Sequence, residues 1–116
     1  MSIERFQKNP RMSMAVKHAG SLHISGQVPD DFEASIEEQT RQVLAKIDAL
    51  LTEAGSDRSR LVSINVYLPM IMDFDAMNSI YDAWIDPENQ PARACVEARL
   101  AHPSLRVEMS AIAAVE

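Results

Sequence analysis

Two segments near the end of the chain carry the residue types that could do chemistry. In residues 93–100, polar or charged side chains alternate with apolar ones: Arg93, Cys95, Glu97 and Arg99 against Ala94, Val96, Ala98 and Leu100. Residues 105–111 repeat the pattern, with Arg106, Glu108 and Ser110 against Leu105, Val107, Met109 and Ala111. Successive side chains of a strand point to opposite faces, so each segment predicts a strand with one apolar face and one that bears charge.

An arginine together with a carboxylate suits a small anionic substrate and a reactive water. The guanidinium of Arg93 can hold a carboxylate with two parallel N–H donors, which a lysine cannot do. The carboxylate of Glu108 can accept a proton from the water. From the pattern alone, the simpler interpretation is a half-exposed sheet with solvated charges, in which an ion pair of Arg93 contributes only ~0–1 kcal/mol.

The composition limits the classes of protein to which the chain can belong. At 116 residues, of which 47% are hydrophobic and 24% charged, it predicts a single soluble domain over 1–116. The net charge of −6 and the scattered basic residues argue against binding to nucleic acid or to an anionic membrane surface. One cysteine allows no internal disulfide, and no apolar run reaches the ~20 residues of a membrane span. We therefore expect a cytoplasmic protein.

The spacing of apolar residues predicts two helices. Ser35 with Glu38 forms a capping-box pattern before a run of apolar residues at helical spacing, and Gly55 supplies the stop. Asp73 can cap a second helix, which ends before Pro87. Its predicted buried stripe consists of Phe74, Met77, Tyr81 and Trp84.

Five strands complete the predicted order, β-β-α-β-α-β-β. Two short strands lie at 13–16 and 21–25, and a third at 60–68 has one apolar face formed by Val62, Ile64, Val66 and Leu68. The last two begin at Arg93 and Leu105, while the polar first dozen residues predict an irregular arm. This order implies an α+β fold, a single sheet backed by two helices on one face. The other face is then uncovered, and we expect Ile24, Val66 and Cys95 near it.

Separate motifs in the same order resemble the YjgF/Rid family, the reactive-intermediate deaminases. The signature is Pro91-Ala92-Arg93 followed, after a short loop, by Val107-Glu108-Met109. Three further segments match the family: Ile24-Ser25-Gly26-Gln27, Glu38-Gln39-Thr40 with Val43, Leu44 and Ile47, and Asp73-Phe74 with Met77-Asn78 and Tyr81. Two departures affect the expected pocket wall, because Met12 stands near the place of a pocket tyrosine and the loop 87–90 is shorter than usual.

The resemblance implies a fold and an assembly. The fold is that of the Bacillus-type chorismate mutase, a mixed sheet in which the final strand inserts between the first core strand and the middle one. That insertion brings Glu108 towards Ser25 and Gly26. The family also implies a homotrimer with three sites, one in each cleft between subunits.

The resemblance further assigns roles to the candidate site residues. Arg93 and the backbone N–H of Cys95 hold a substrate carboxylate, and Glu108 holds and activates the water. Ser25 and Gly26 end a strand where backbone can approach a ligand closely, and Asn78 belongs to a wall from a neighbouring subunit. The thiol of Cys95 has no histidine near it in sequence, so we expect no nucleophilic role for it.

These roles predict hydrolysis of 2-imino or 2-enamino acids to 2-keto acids and ammonia. The reaction needs no cofactor, and the three histidines, His18, His23 and His102, are too dispersed in sequence to predict a metal site. The alternative, from another class, is a non-catalytic protein that binds small carboxylates and regulates a partner. Such a binder needs Arg93 but not Glu108. Chorismate mutase chemistry would rest on analogy of fold alone.

Overall fold

A six-stranded mixed sheet with two helices makes up residues 2–116, the part of the chain that the computed structural model describes. The strands are β1 (Ile3–Lys8), β2 (Ser13–His18), β3 (Ser21–Gln27), β4 (Leu61–Leu68), β5 (Ala92–Glu97) and β6 (Glu108–Ala114). The helices are α1 (Ile36–Glu53) and α2 (Phe74–Trp84). Short 3₁₀ turns at Arg58–Arg60 and Ile71–Asp73 precede β4 and α2.

The strand order is β1-β2-β3-β6-β4-β5. The last strand, β6, runs antiparallel to both of its neighbours, β3 and β4, whereas β4 and β5 are parallel. A parallel pair needs a crossover connection, and α2 supplies it between β4 and β5. The predicted α+β fold, with its final strand inserted into the sheet, is thus confirmed.

The prediction of an irregular N-terminal arm is wrong, because Ile3–Lys8 forms the edge strand β1. It pairs antiparallel with β2, where Phe6 lies opposite Ala15. Phe6 is the one buried side chain of β1. An edge strand held by backbone hydrogen bonds and a single buried residue has no clear alternation of polar and apolar residues, so the sequence pattern missed it.

Helix α1 begins and ends where the sequence predicts. The Ser35 side chain accepts a hydrogen bond from the Glu38 backbone N–H at 3.2 Å, and Gly55 follows the helix with φ +82°. The helix packs against β3, β6 and α2. Neither helix of residues 2–116 combines the length and apolarity that a membrane crossing requires.

Helix α2 departs from the prediction at its start. Asp73 makes no capping hydrogen bond, because its buried carboxylate is bound by the guanidinium of Arg106 at 2.9 and 3.3 Å. Phe74, expected in the buried stripe, is 38% exposed, whereas Met77 and Tyr81 are buried as predicted. Trp84 is only partly buried and packs at the edge of the core.

The helices cover one face of the sheet, and the core lies between them and that face. Ile24 and Val66, which we expected near the uncovered face, are buried in this core at 3% and 0% exposure. Cys95, expected there as well, is the partner of Val66 and packs against the same core. Val62, expected on the face of Ile64, is 54% exposed, because the pairing of β4 with β6 shifts register between Leu61 and Ser63. Such a bulge reverses the face of the sheet to which the side chains before it point.

Gln39 of α1 fixes the loop that leads into β6. Its side chain is fully buried, and its amide nitrogen donates to the carbonyl of Ser104 at 3.1 Å. Its amide oxygen accepts from the backbone N–H of Arg106 at 2.8 Å. Because buried amides seldom go unpaired, these bonds hold the loop in one position just before Glu108.

Candidate active site

Arg93 lies on the helix-covered face of the sheet. In the parallel pairing of β4 with β5, Arg93 is the partner of Ile64, whose side chain is fully buried beneath the helices. Cys95 is likewise the partner of the buried Val66. Strand β5 is at the edge of the sheet, so Arg93 reaches solvent there while it stays next to α2.

Helix α2 holds the guanidinium of Arg93 through three side chains one helical turn apart. Arg93 Nη1 donates to Asn78 Oδ1 at 2.7 Å. The guanidinium carbon lies 4.7 Å from the centre of the Tyr81 ring and 5.8 Å from that of Phe74. Cation–π contacts of this kind orient an arginine without using its other donors. The rest of the fork therefore remains available to bind a carboxylate.

Cys95 is half-buried at the rim of the core. Burial raises the pKa of its thiol, and the nearby Arg93 offsets only part of that effect. A thiol with a raised pKa stays protonated at neutral pH and is a poor nucleophile. The thiol of Cys95 is thus poorly suited to act as a nucleophile.

Glu108 lies on the opposite, uncovered face of the sheet. It is the first residue of β6 and the partner of Tyr67, which is three residues along β4 from Ile64 and therefore points to the other side. Burial raises the pKa of the Glu108 carboxyl above its ordinary value of 4.5. Within residues 2–116 this carboxylate has no hydrogen-bond partner.

A bulge in β3 creates the space that Glu108 occupies. Between the pairs Ile24–Ala111 and Gln27–Met109, β3 has one residue more than β6. Ser25 and Gly26 form this bulge, and the Gln27 amide holds it by donating to the Ser25 carbonyl at 3.0 Å. A Cβ on Gly26 would lie only 2.0 Å from Glu108 Oε2. Gly26 thus makes room for the carboxylate of the protein itself.

The predicted residues therefore form two groups on opposite faces of one protomer. Arg93, Asn78 and Cys95 lie together on the side of α2, and Ser25, Gly26 and Glu108 lie together on the uncovered side. Asn78, expected to come from a neighbouring subunit, contacts Arg93 of its own chain. A single protomer cannot bring one small substrate into contact with both groups.

A cavity of about 340 Å³ opens beside Glu108. Its lining residues are Gly26, Tyr67, Ala98, Arg99, Leu100, Ala101, Glu108 and Ser110. The alternation pattern placed Arg99 on the face of Arg93, but β5 ends at Glu97. Beyond the end of the strand the side chains no longer alternate between faces, and Arg99 lines the same cavity as Glu108. Sequence reasoning missed Arg99 and Tyr67 as site residues because only the sheet register brings them there.

Met12 and His102, also singled out in the sequence, make local contacts. Met12 is in the turn between β1 and β2, where its carbonyl accepts from the backbone N–H of Asn9 at 2.8 Å. His102 packs against Phe32, with ring centres 4.6 Å apart. Among residues 2–116, no three His, Cys, Asp or Glu side chains come together in a way that could hold a metal ion.

Comparison with known proteins identifies the class to which this fold and site belong. The family described as endoribonuclease L-PSP matches residues 3–115. A RutC family protein of Haemophilus ducreyi is 39% identical over 113 residues, 97% of each chain. A crystal structure of a YjgF family member from Neisseria meningitidis is 44% identical, with a TM-score of 0.97 over 100% of this chain and 97% of that one.

A structure of the conserved Rid protein family from Yersinia pestis gives the same result, at 34% identity and a TM-score of 0.87 over 93% of this chain and 90% of that one. The chain therefore belongs to the YjgF/Rid family, as the sequence motifs indicated. The likeness spans almost the whole chain, so it includes both groups of candidate residues.

The raised pKa of Glu108 predicts that the wild type and a variant without this carboxyl differ in stability by an amount that depends on pH. When burial raises the pKa of an acid, the folded state binds the proton more tightly than the unfolded state does. The folding stability gained from that proton is present at low pH and is lost as pH rises through the folded pKa. We therefore expect Glu108→Gln to have a higher free energy of unfolding than the wild type at pH 7. The difference should vanish below the ordinary pKa of 4.5.

Urea unfolding at both pH values, at one fixed protein concentration, measures this difference. The control is Glu33→Gln, the same exchange at an exposed loop position. A Glu108→Gln variant that is no more stable than the wild type at pH 7 would contradict the account of Glu108.

Proposed function

We propose that this protein hydrolyses 2-imino and 2-enamino acids to 2-keto acids and ammonia. The observation that carries the proposal is the half-buried, unpaired carboxylate of Glu108 beside an open cavity. A carboxylate with no structural partner and a raised pKa is a stronger proton acceptor than an ordinary glutamate. Membership of the Rid family supports the same chemistry.

In the proposed reaction, Arg93 positions the substrate, and no oxidation or reduction takes place. The guanidinium fork and the Cys95 N–H hold the substrate carboxylate, and this fixes the C=N carbon for attack. A water molecule adds to that carbon while the Glu108 carboxylate takes one of the protons of the water. Glu108 delivers that proton to the nitrogen, which completes a neutral carbinolamine. The hydroxyl proton of the carbinolamine then passes through Glu108 to the same nitrogen while the C=O bond forms, the C–N bond breaks, and ammonia leaves a 2-keto acid.

The proposed site lies between subunits of a homotrimer. Arg93 and Glu108 lie on opposite faces of each protomer, so one substrate can meet both only if two protomers contribute. The uncovered face also offers apolar surface for assembly. Val96 is 47% exposed there, and Tyr67 and Ile112 lie on the same face. A closed ring of copies covers this face on every subunit.

The trimer predicts a solution mass three times the 12.9 kDa of one chain. Light scattering at micromolar protein concentration measures that mass. A monomer would contradict both the assembly and the shared site, because an isolated protomer has only half of the proposed residues in any one place.

Arg93→Lys should lose most of the imine hydrolysis and keep the trimer. The charge remains, but the planar fork that binds a carboxylate is lost, which costs roughly 1.5–3 kcal/mol of transition-state binding. The assay generates imines in situ with an amino-acid oxidase and follows keto-acid release above the spontaneous rate. Arg11→Lys, at an exposed turn, is the matched control and should behave as the wild type.

Two results would contradict the proposed role of Arg93. Wild-type turnover in a trimeric Arg93→Lys variant would show that the fork is dispensable. Cys95→Ser should remain active, since only its backbone N–H is invoked. Complete inactivity of a folded Cys95→Ser variant would give the thiol the role that we assign to the backbone.

Glu108→Gln separates an enzyme from a non-catalytic binder. Glutamine has the same size but cannot accept the proton of the attacking water, so we expect turnover to fall by about 10²–10⁴-fold. Binding of pyruvate, measured by calorimetry, should persist or tighten slightly because one negative charge is gone. Glu33→Gln is again the control. Undiminished turnover in Glu108→Gln would exclude Glu108 as the base.

A further inference from the structure

Arg99 occupies a fixed position in the wall of the Glu108 cavity. The residue before it, Ala98, donates its backbone N–H to the carbonyl of Leu68 at 3.0 Å, which ties the start of the loop to the end of β4. The far end of the same loop is held by the buried Gln39, which binds Ser104. These bonds anchor the backbone on both sides of Arg99, which lines the cavity.

The cation of Arg99 has no partner within residues 2–116. Five of the eleven Lys and Arg residues form ion pairs with carboxylates, and Arg93 is bound by Asn78. The other unpaired cations lie in the hairpin of β1 and β2: Arg5, Lys8, Arg11 and Lys17. In a chain with seventeen acidic residues, an unpaired arginine that lines a cavity is placed to bind an anion from outside.

Arg99 and Glu108 are the two charged residues among the eight that line the cavity. They form no ion pair with each other. Burial is the sole cause that raises the pKa of Glu108, and no cation lowers it. The two side chains therefore line the same cavity without being paired with each other. The lining there includes Ala98, Leu100 and Ala101, which can contact the carbon chain of a ligand.

We propose that Arg99 binds a second anionic group on the substrate, so that the site accepts imino acids with an acidic side chain. This inference rests on the proposed function. Arg93 of one protomer holds the carboxylate next to the imine, Glu108 of the next protomer holds the water, and Arg99 beside Glu108 receives the side-chain carboxylate. The substrate class is the imines of dicarboxylic amino acids, such as those of aspartate and glutamate.

The first experiment compares kcat/KM for two imines made in situ. One is 2-iminosuccinate, made from aspartate by an aspartate oxidase, and the other is 2-iminobutanoate, whose side chain is uncharged. In Arg99→Ala the ratio of kcat/KM for the acidic over the neutral imine should fall roughly 10- to 100-fold, the range for a hydrogen bond to a charged group. Arg11→Ala, which also removes one positive charge, should leave the ratio unchanged. An unchanged ratio in Arg99→Ala overturns the proposal.

The second experiment measures binding without turnover. Calorimetry compares 2-oxoglutarate with 2-oxopentanoate, which has a methyl group where 2-oxoglutarate has its second carboxylate. The wild type should prefer 2-oxoglutarate, and Arg99→Ala should lose that preference. If the wild type shows no such preference, or if Arg99→Ala keeps it, the proposal is overturned.

The two experiments distinguish failure of this inference from failure of the proposed function. If the wild type hydrolyses neither imine but prefers 2-oxoglutarate, and Arg99→Ala lacks that preference, the hydrolase is refuted and the anion site is supported. Turnover of both imines with an unchanged ratio in Arg99→Ala supports the hydrolase and refutes the anion site. Loss of the trimer in Arg99→Ala, seen by light scattering, would make Arg99 an interface residue and also refute the anion site.

Discussion

The alternation of side chains across the sheet is the constraint on which the rest of this structure depends. Arg93 pairs with Ile64 and Glu108 pairs with Tyr67, on strands next to the same β4. Ile64 and Tyr67 are three residues apart, an odd number, so their faces are opposite. A shift of register by one residue in either pairing would put both charges on one face. One protomer therefore cannot present both charges to a single small ligand, and the proposal that two protomers share a site rests on this strand register.

Each group is supported by a different kind of neighbour. On the helix-covered side, Asn78 and Tyr81 of α2 orient Arg93, while an apolar core lies underneath. On the uncovered side, the bulge at Gly26 admits a carboxylate whose burial costs stability when it is ionised. Folding stability does not account for a carboxylate at this position, whereas the proposed role in proton transfer does.

Much of this fold can be predicted from the sequence, because the decisive signals are local. The Ser35 cap and the Gly55 stop locate α1. The position of β6 inside the sheet, by contrast, is implied only by the resemblance to the family. The errors occur where tertiary contacts override local pattern. Asp73 has the type and position of a helix cap, but the distant Arg106 takes its carboxylate. Strand β1 has too few buried residues to show an alternating pattern.

The sequence singles out the candidate residues, but not how one protomer arranges them. The types of Arg93 and Glu108, and the motifs around them, mark them as chemically interesting. Whether they share a face depends on which face the helices cover and on the register of three strands, and no local pattern encodes either. The same reason explains Arg99, which leaves the alternation of β5 as soon as the strand ends at Glu97.

The central claim, that each site takes its arginine from one subunit and its glutamate from the next, is tested most directly by mixing two inactive variants. Arg93→Ala and Glu108→Gln are co-expressed so that trimers contain both chains. If sites are shared, random assembly gives intact pairs at about one quarter of the sites, and imine hydrolysis returns to about that fraction of the wild-type rate. If mixed trimers are as inactive as each variant alone, the two residues act within one chain or not together, and the account is wrong.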